Sequence, residues 1–212
     1  AFAAMSAAQY LEEVLVQPFT PHSIVIGYDH RFGHDRAGNI DLLKQYAPQY
    51  GYSVTEIPAQ QIHEAAVSST RIRRAIAAGH IAEANEMLGR FYAVNGEVVH
   101  GQKLGRTIGY PTANLLPSEP DQVMPGNGIY AVYVWVDGIR YKGMMSIGYN
   151  PTVTNDRTVK PEVNILDFDK DIYGNTIRIE FVQWLRAEEK FEGLDALKAQ
   201  LGRDREAALA VL

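Results

Sequence analysis

The run GQKLGRTIGYPTANLLP, Gly101 to Pro117, carries residue types suited to holding a nucleoside triphosphate. Gly101, Gly105 and Gly109 recur every fourth residue without apolar helical periodicity. They read as a loop whose bare backbone approaches a ligand closely and offers N–H groups to phosphate oxygens. Lys103 and Arg106 add positive charge there. Pro111 then fixes the backbone, and Thr112 and Asn114 offer a hydroxyl and an amide oxygen, hard ligands that a phosphate-bound magnesium ion accepts. Each part has a plainer reading, the glycines as turns and Thr112 and Asn114 as turn formers after a proline. The ordered GxxLGRTIGYPTAN combination is more specific than its spacing.

That combination resembles the riboflavin kinase module of prokaryotic bifunctional riboflavin kinase/FAD synthetases. Three further segments agree in the family's order: GIYAVYV at Gly128 to Val134, GYNPTV at Gly148 to Val153, and PEVNILDFDKDIYG at Pro161 to Gly174. Upstream, IVIGYDHRFG at Ile24 to Gly33 and VSSTRIRRAIAAGHIAEANEMLGRFY at Val67 to Tyr92 resemble the later part of the FMN adenylyltransferase domain that precedes the kinase. The earlier part has no counterpart in this sequence.

The resemblance implies a riboflavin kinase with ATP and riboflavin as substrates, FMN as product and Mg²⁺ as cofactor. It places the catalytic base at Glu162 and makes Thr112 and Asn114 the magnesium and ATP-phosphate ligands. The loop carrying Gly101, Lys103, Gly105, Arg106 and Gly109, closed by Pro111, would fold over the nucleotide, and Asn150 and Thr152 would support binding. An apolar barrel mouth would hold the isoalloxazine. Many family members carry histidine where this chain has Asn164, an amide that can hydrogen-bond but not titrate, so no proton-transfer role falls there. Asp167 and Asp169 read as solvated turn formers rather than metal ligands.

In the upstream segment, Gly27 and Asp29 with Ser68, Ser69 and Arg73 are the matching residues of the adenylyl-transfer site. Serines at a helix start sit beside exposed N–H groups, and an arginine can grip a phosphate. The family's HxGH motif is missing, since none of the six histidines forms such a pair, and His30, His34 and His63 are no substitutes. FAD formation is therefore expected to be incomplete in this chain, with an uncovered apolar face around Val25 and Ile26. A different class of function is a non-enzymatic barrel that binds nucleic acid or protein.

Bulk properties narrow these readings. A chain that is 46% hydrophobic and 21% charged, without a membrane-length apolar run, reads as a soluble globular protein. A formal charge of -5 disfavours broad nucleic-acid binding, and ATP needs only a local basic pocket. The absence of cysteine excludes disulfides and fits a cytoplasmic location. A start at Ala1 suggests an internal start or a processed fragment. Oligomeric state stays open.

The elements that must position these residues fall into two patterns. Up to residue 92, strands alternate with helices. Tyr10, Leu11, Val14 and Leu15 form a helical stripe ending before Pro18. A strand at Ser23 to Ile26, a helix at Asp41 to Ala47 and a strand at Tyr52 to Ile57 follow. Ser68 or Ser69 caps a helix from about Thr70 to Gly79, and Ile81 to Leu88 forms another. This is the pattern of a partial doubly wound parallel α/β sheet over 1–92, which the resemblance identifies as the C-terminal part of a nucleotidyltransferase domain. From 93 to 212 the period becomes two. Strands at Ile129 to Val136 and Ile139 to Ile147 flank an Asp137–Gly138 turn, with further strands at Pro161 to Phe168 and Thr176 to Trp184. These indicate an antiparallel barrel or sandwich, and the resemblance selects a small Greek-key β-barrel. Leu194, Leu197, Leu201, Ala207, Ala208 and Leu212 suggest C-terminal helices packed on it.

Overall fold

A computed structural model describes residues 4–59, 61–62, 65–101, 104–149 and 159–212, which fall into two units, Ala1–Val67 and Ser68–Leu212.

In the first unit, helix α1 (Ala7–Gln9) is capped by Ser6, whose side chain accepts from the Gln9 N–H. It widens into a π-helical stretch, Tyr10–Val16, and tightens again as α2 (Gln17–Phe19). The helical segment thus runs past Pro18. The Gln17 N–H reaches back to the Glu12 carbonyl, and the proline falls in the first turn of α2, where a missing N–H costs little. Strands β1 (Ser23–Gly27) and β2 (Ser53–Ile57) pair in parallel and are linked by α3 (Ile40–Tyr50), forming one β-α-β unit. Ile26 is buried with Leu11, Phe32, Leu43 and Tyr52, whereas Val25 is 61% exposed, so only Val25 meets the expectation of an uncovered face. Two-residue strands β3 (Gln61–Ile62) and β4 (Ala65–Ala66) pair with each other.

The second unit opens with α4 (Ser69–Ala77), whose N-cap is Ser68, its hydroxyl accepting from the Arg71 N–H. Helix α5 (Ile81–Leu88) buries Ile81, Ala84 and Met87. The Asn85 amide of α5 donates to the Phe181 carbonyl and accepts from the Tyr92 N–H, tying these helices to the strands that follow.

Six strands then close a barrel: β5 (Tyr92–Val99), β6 (Ala113–Pro117), β7 (Gly128–Val136), β8 (Ile139–Tyr149), β9 (Val159–Ile165) and β10 (Thr176–Arg186). All pairings are antiparallel, in the spatial order β10-β5-β6-β9-β8-β7. Strands β7, β8 and β9 are consecutive neighbours, and β10 returns beside β7, which is a Greek key. Asp137 and Gly138 both take positive φ, 50° and 78°, as the two-residue turn between β7 and β8 requires. The interior is filled by alternate residues such as Val94, Val98, Val132, Met145, Val163, Ile179 and Phe181.

A single C-terminal helix, α7 (Leu194–Val211), packs on the barrel rather than several. Its contact is made by Ala208 with Ala131, Met144 and Leu166, and by the buried Asp204. Leu194 is 66% exposed and Ala207 is exposed, so the apolar stripe read from the sequence is not the packing face along its length.

Candidate active site

Strand β9 separates two cavities. Val163 and Ile165 line the first, about 550 Å³, together with Val98, Arg106, Thr112 and Tyr173. Glu162 and Asn164 line the second, about 430 Å³, whose apolar wall includes Ile108, Tyr110, Met144, Phe191, Leu197 and Leu201. The alternation of a strand puts these pairs on opposite faces. Thr112 lines both cavities, at the strand end where they meet.

The residues at this junction are held by the sheet. Register places Asn114 opposite Glu162 on one side and Ser146 opposite it on the other. The Thr112 hydroxyl donates to Glu162 Oε2 at 3.2 Å. Thr112 and Asn114, two apart, bring a hydroxyl and an amide to one side of the chain.

The glycine loop differs from a simple open cradle. Leu104–Thr107 forms one helical turn, α6, and the Tyr110 N–H donates to the Gly105 carbonyl at 2.9 Å. A Cβ on Gly105 would stand 2.2 Å from the Tyr110 carbonyl oxygen, and one on Gly101 only 2.0 Å from Asn114 Nδ2. Gly105 is therefore needed for the chain to close on itself, whereas a side chain at Gly101 would have to displace the Asn114 amide. Gly109 has φ 83° and ends the turn, and Arg106 is exposed on the wall of the first cavity. Lys103, Asn150 and Thr152 lie outside the described residues.

Sequence reasoning missed the far wall of the second cavity. Arg186 ends β10 and lines that cavity, its Nε and Nη2 donating to the two oxygens of Asp204 at 2.7 Å each. This bond to Asp204 raises the Arg186 pKa against the opposing effect of burial. Gln200 also donates to Asp204 Oδ1 at 2.8 Å. Glu188 accepts from the Ser146 hydroxyl at 3.1 Å on the same rim. The available signal was Phe191, which continues the Leu194–Leu197–Leu201 spacing upstream of α7 and marks the stripe as a cavity wall.

Asp167 sits in a turn with φ 54° and pairs with Arg205 at 3.0 Å while 82% of its side chain is exposed. Of the upstream residues, Gly27 ends β1, Asp29 is exposed in the following turn, and Ser68 is occupied as a helix cap. Ser69 and Arg73 are exposed on α4, while Arg71 is drawn to Glu83 of α5 by its Nε and Nη2. Gly27 and Asp29 belong to the first unit, and Ser68, Ser69 and Arg73 to the second.

The barrel thus carries a hydroxyl–carboxylate pair, Thr112 and Glu162, where two cavities share a wall residue. The riboflavin kinase family model matches residues 88–212, more than half of the chain, and the FAD synthetase model matches residues 1–71. This chain belongs to the riboflavin kinase family. A bifunctional riboflavin kinase/FMN adenylyltransferase from Listeria monocytogenes is 41% identical over 97% of this chain, and one from Escherichia coli K12 is 39% identical over 96%. In each case the chain spans 64% of the relative's length. A solved structure from Streptococcus pneumoniae, described as a macrolide-efflux protein, superposes with a TM-score of 0.88 at 38% identity, covering 98% of this chain and 66% of that one. No described helix of the present chain is long and apolar enough to cross a membrane.

Proposed function

We propose that this chain transfers the γ-phosphoryl group of ATP to the terminal ribityl hydroxyl of riboflavin, giving FMN. The observation that carries the reading is Thr112, shared by both cavities and hydrogen-bonded to Glu162. The cavity with Arg106, walled on one side by Phe168 to Tyr173, takes the nucleotide and its triphosphate. The second cavity takes the flavin, because its wall is aliphatic and aromatic and Glu162 stands within it. This assigns the isoalloxazine to the space beside α7 rather than to the barrel mouth.

In this account Glu162 accepts the proton of the attacking hydroxyl, and the sheet on both sides of β9 fixes its position. Arg106 offsets charge on the phosphates. The donor set fits Mg²⁺ carried in by the nucleotide. Thr112 and Asn114 are neutral oxygen ligands beside one carboxylate, whereas among the described residues no group of three or more His, Cys, Asp or Glu could cage a metal by itself. When bound, Mg²⁺ offsets phosphate charge.

Residues 1–92 correspond in this reading to the later part of an FMN adenylyltransferase, and Gly27, Asp29, Ser68, Ser69 and Arg73 to part of its site. The relatives' second activity needs donors on the α-, β- and γ-phosphates together, and this sequence has no HxGH pair to complete them. The test is to incubate the chain with riboflavin, ATP and Mg²⁺ and separate the three flavins chromatographically. FMN without FAD is the expected outcome. No FMN, with salt-sensitive binding of an oligonucleotide, would replace the kinase by a binding module, and sustained FAD would show the upstream site to be sufficient.

A further inference from the structure

Asn164 is, with Asp204, one of two buried polar or charged residues among the described residues, with 8% of its surface exposed, and it lines the second cavity. Its Nδ2 donates to the Pro111 carbonyl at 2.7 Å. The amide's orientation follows from this partner, since a carbonyl can only accept.

The position of this bond matters. Pairing of β6 with β9 begins at Ala113 opposite Val163 and Asn114 opposite Glu162. Thr112 and Pro111 lie just beyond that pairing, in a segment reached from the α6 turn. A side-chain bond from Asn164 to Pro111 continues the attachment two residues further, past the one residue whose hydroxyl reaches Glu162. Glu162 and Asn164 share a face of β9, so one strand holds both Thr112 and the residue before it.

We infer that Asn164 is a positioning residue for phosphoryl transfer: it fastens Pro111 to β9 and thereby keeps the Thr112 hydroxyl on the Glu162 carboxylate. The inference rests on the kinase reading above. Asn164 touches neither ATP phosphate nor the reacting hydroxyl in this role. Removal of its donor lets the Pro111–Thr112 segment drift, and a displacement of about 1 Å at such a site costs on the order of 10²-fold in turnover.

The test compares Asn164→Leu, which lacks a donor at similar size, with Asn164→His, which keeps a ring N–H. Asn164→Leu should lower kcat on the order of 10²-fold at pH 8 while the KM for ATP changes by about threefold or less. Asn164→His should recover most of the lost kcat at pH 8. It should also add a second acid limb above the one set by protonation of Glu162 itself. The charged and titratable groups sharing the cavity are Glu162, Arg186, Glu188, Glu189, Asp204 and Tyr110, and Arg186 is already bound to Asp204. The surrounding carboxylates favour imidazolium while burial and Arg186 oppose it, so the limb should lie within about one pH unit of the ordinary histidine value of about 6.5. Below it, a positive charge on the Glu162 face of β9 weakens that base.

Unchanged kcat in Asn164→Leu, or an Asn164→His chain with neither recovery nor an added limb, overturns the inference. If circular dichroism shows that Asn164→Leu does not fold, the pH profile of Asn164→His decides alone. An unsubstituted chain that makes no FMN defeats the kinase reading instead, so the two failures are distinguishable.

Discussion

Replacing Asp204 by Ala should be among the most destabilising single changes in the second unit. The Asp204 side chain is 4% exposed and its Arg186 partner 21%, and two bonds of 2.7 Å join them in a fork. Removing Asp204 leaves the Arg186 guanidinium with only the half-exposed Glu189 carboxylate, 3.5 Å from Nη1, and the Ala187 carbonyl, at a cost near the lower end of the about 3–5 kcal/mol for breaking a buried pair. Loss of the Gln200 bond adds to this. For a unit of this size the midpoint of thermal unfolding should fall on the order of 10 °C. Replacing both residues with apolar ones, Arg186→Met with Asp204→Leu, should cost much less than Asp204→Ala, because the desolvation of both charges is relieved together. The assay is thermal and urea unfolding of the single and double variants, followed by the fluorescence of Trp135 and Trp184. Riboflavin fluorescence quenching should show weaker binding in Asp204→Ala, since Arg186 and Asp204 both line the second cavity. A loss below about 1 kcal/mol in Asp204→Ala, or additive effects of the two apolar replacements, would refute the argument that this pair secures α7 to the barrel.

Glu162→Gln keeps the shape of the side chain and an acceptor for Thr112 but removes the base; FMN formation should fall about 10²- to 10⁴-fold with riboflavin binding retained, and near-normal turnover would exclude the assignment. Gly101→Ala places a methyl group 2.0 Å from Asn114 Nδ2 and must displace that side chain, so the Mg²⁺ concentration for half-maximal rate should rise several-fold while riboflavin affinity stays unchanged. An unaltered Mg²⁺ titration would return Asn114 to a turn-forming role. Burial raises the Tyr92 pKa, with smaller lowering effects from Gln122 and Arg90. The tyrosine therefore stabilises the fold below about pH 10, and that contribution is lost as pH rises from there through the raised value. Tyr92→Phe should flatten the fall in unfolding temperature above pH 10, and an unchanged slope in the variant would count against a buried phenol there.

What could be read from the chain was what depends on local pattern. The Asp137–Gly138 turn needs two left-handed residues in sequence and shows them, and the period-two burial of β5 and β10 follows from side-chain alternation. The base was placed at Glu162 by the resemblance, and strand alternation puts that carboxylate on the face of β9 opposite Val163 and Ile165. Pro18 was misleading, because its penalty depends on which N–H a helix requires, and a π-helical stretch changes that requirement.

The C-terminal helix shows where periodicity stops being informative. A stripe of leucines states that one face avoids water, but a protein core and an apolar ligand satisfy that demand equally. Leu197 and Leu201 meet a cavity, while Ala208 and Leu212 of the same stripe meet the barrel together with Leu209 and a charged residue, Asp204. Asp204 is unreadable from its neighbours because its partner, Arg186, is on β10 and the bond exists only once the barrel has closed. The same holds for Asn164: a polar residue in an apolar strand reads as a defect until the turn before Thr112 is brought across from β6. Sites formed by pairing distant strands are thus visible in sequence as motif residues, while the groups that hold those residues in place emerge only from the register. The kinase site proposed above, with Glu162 at its centre, needs both, since the carboxylate alone would face a cavity without the Thr112 hydroxyl fixed against it.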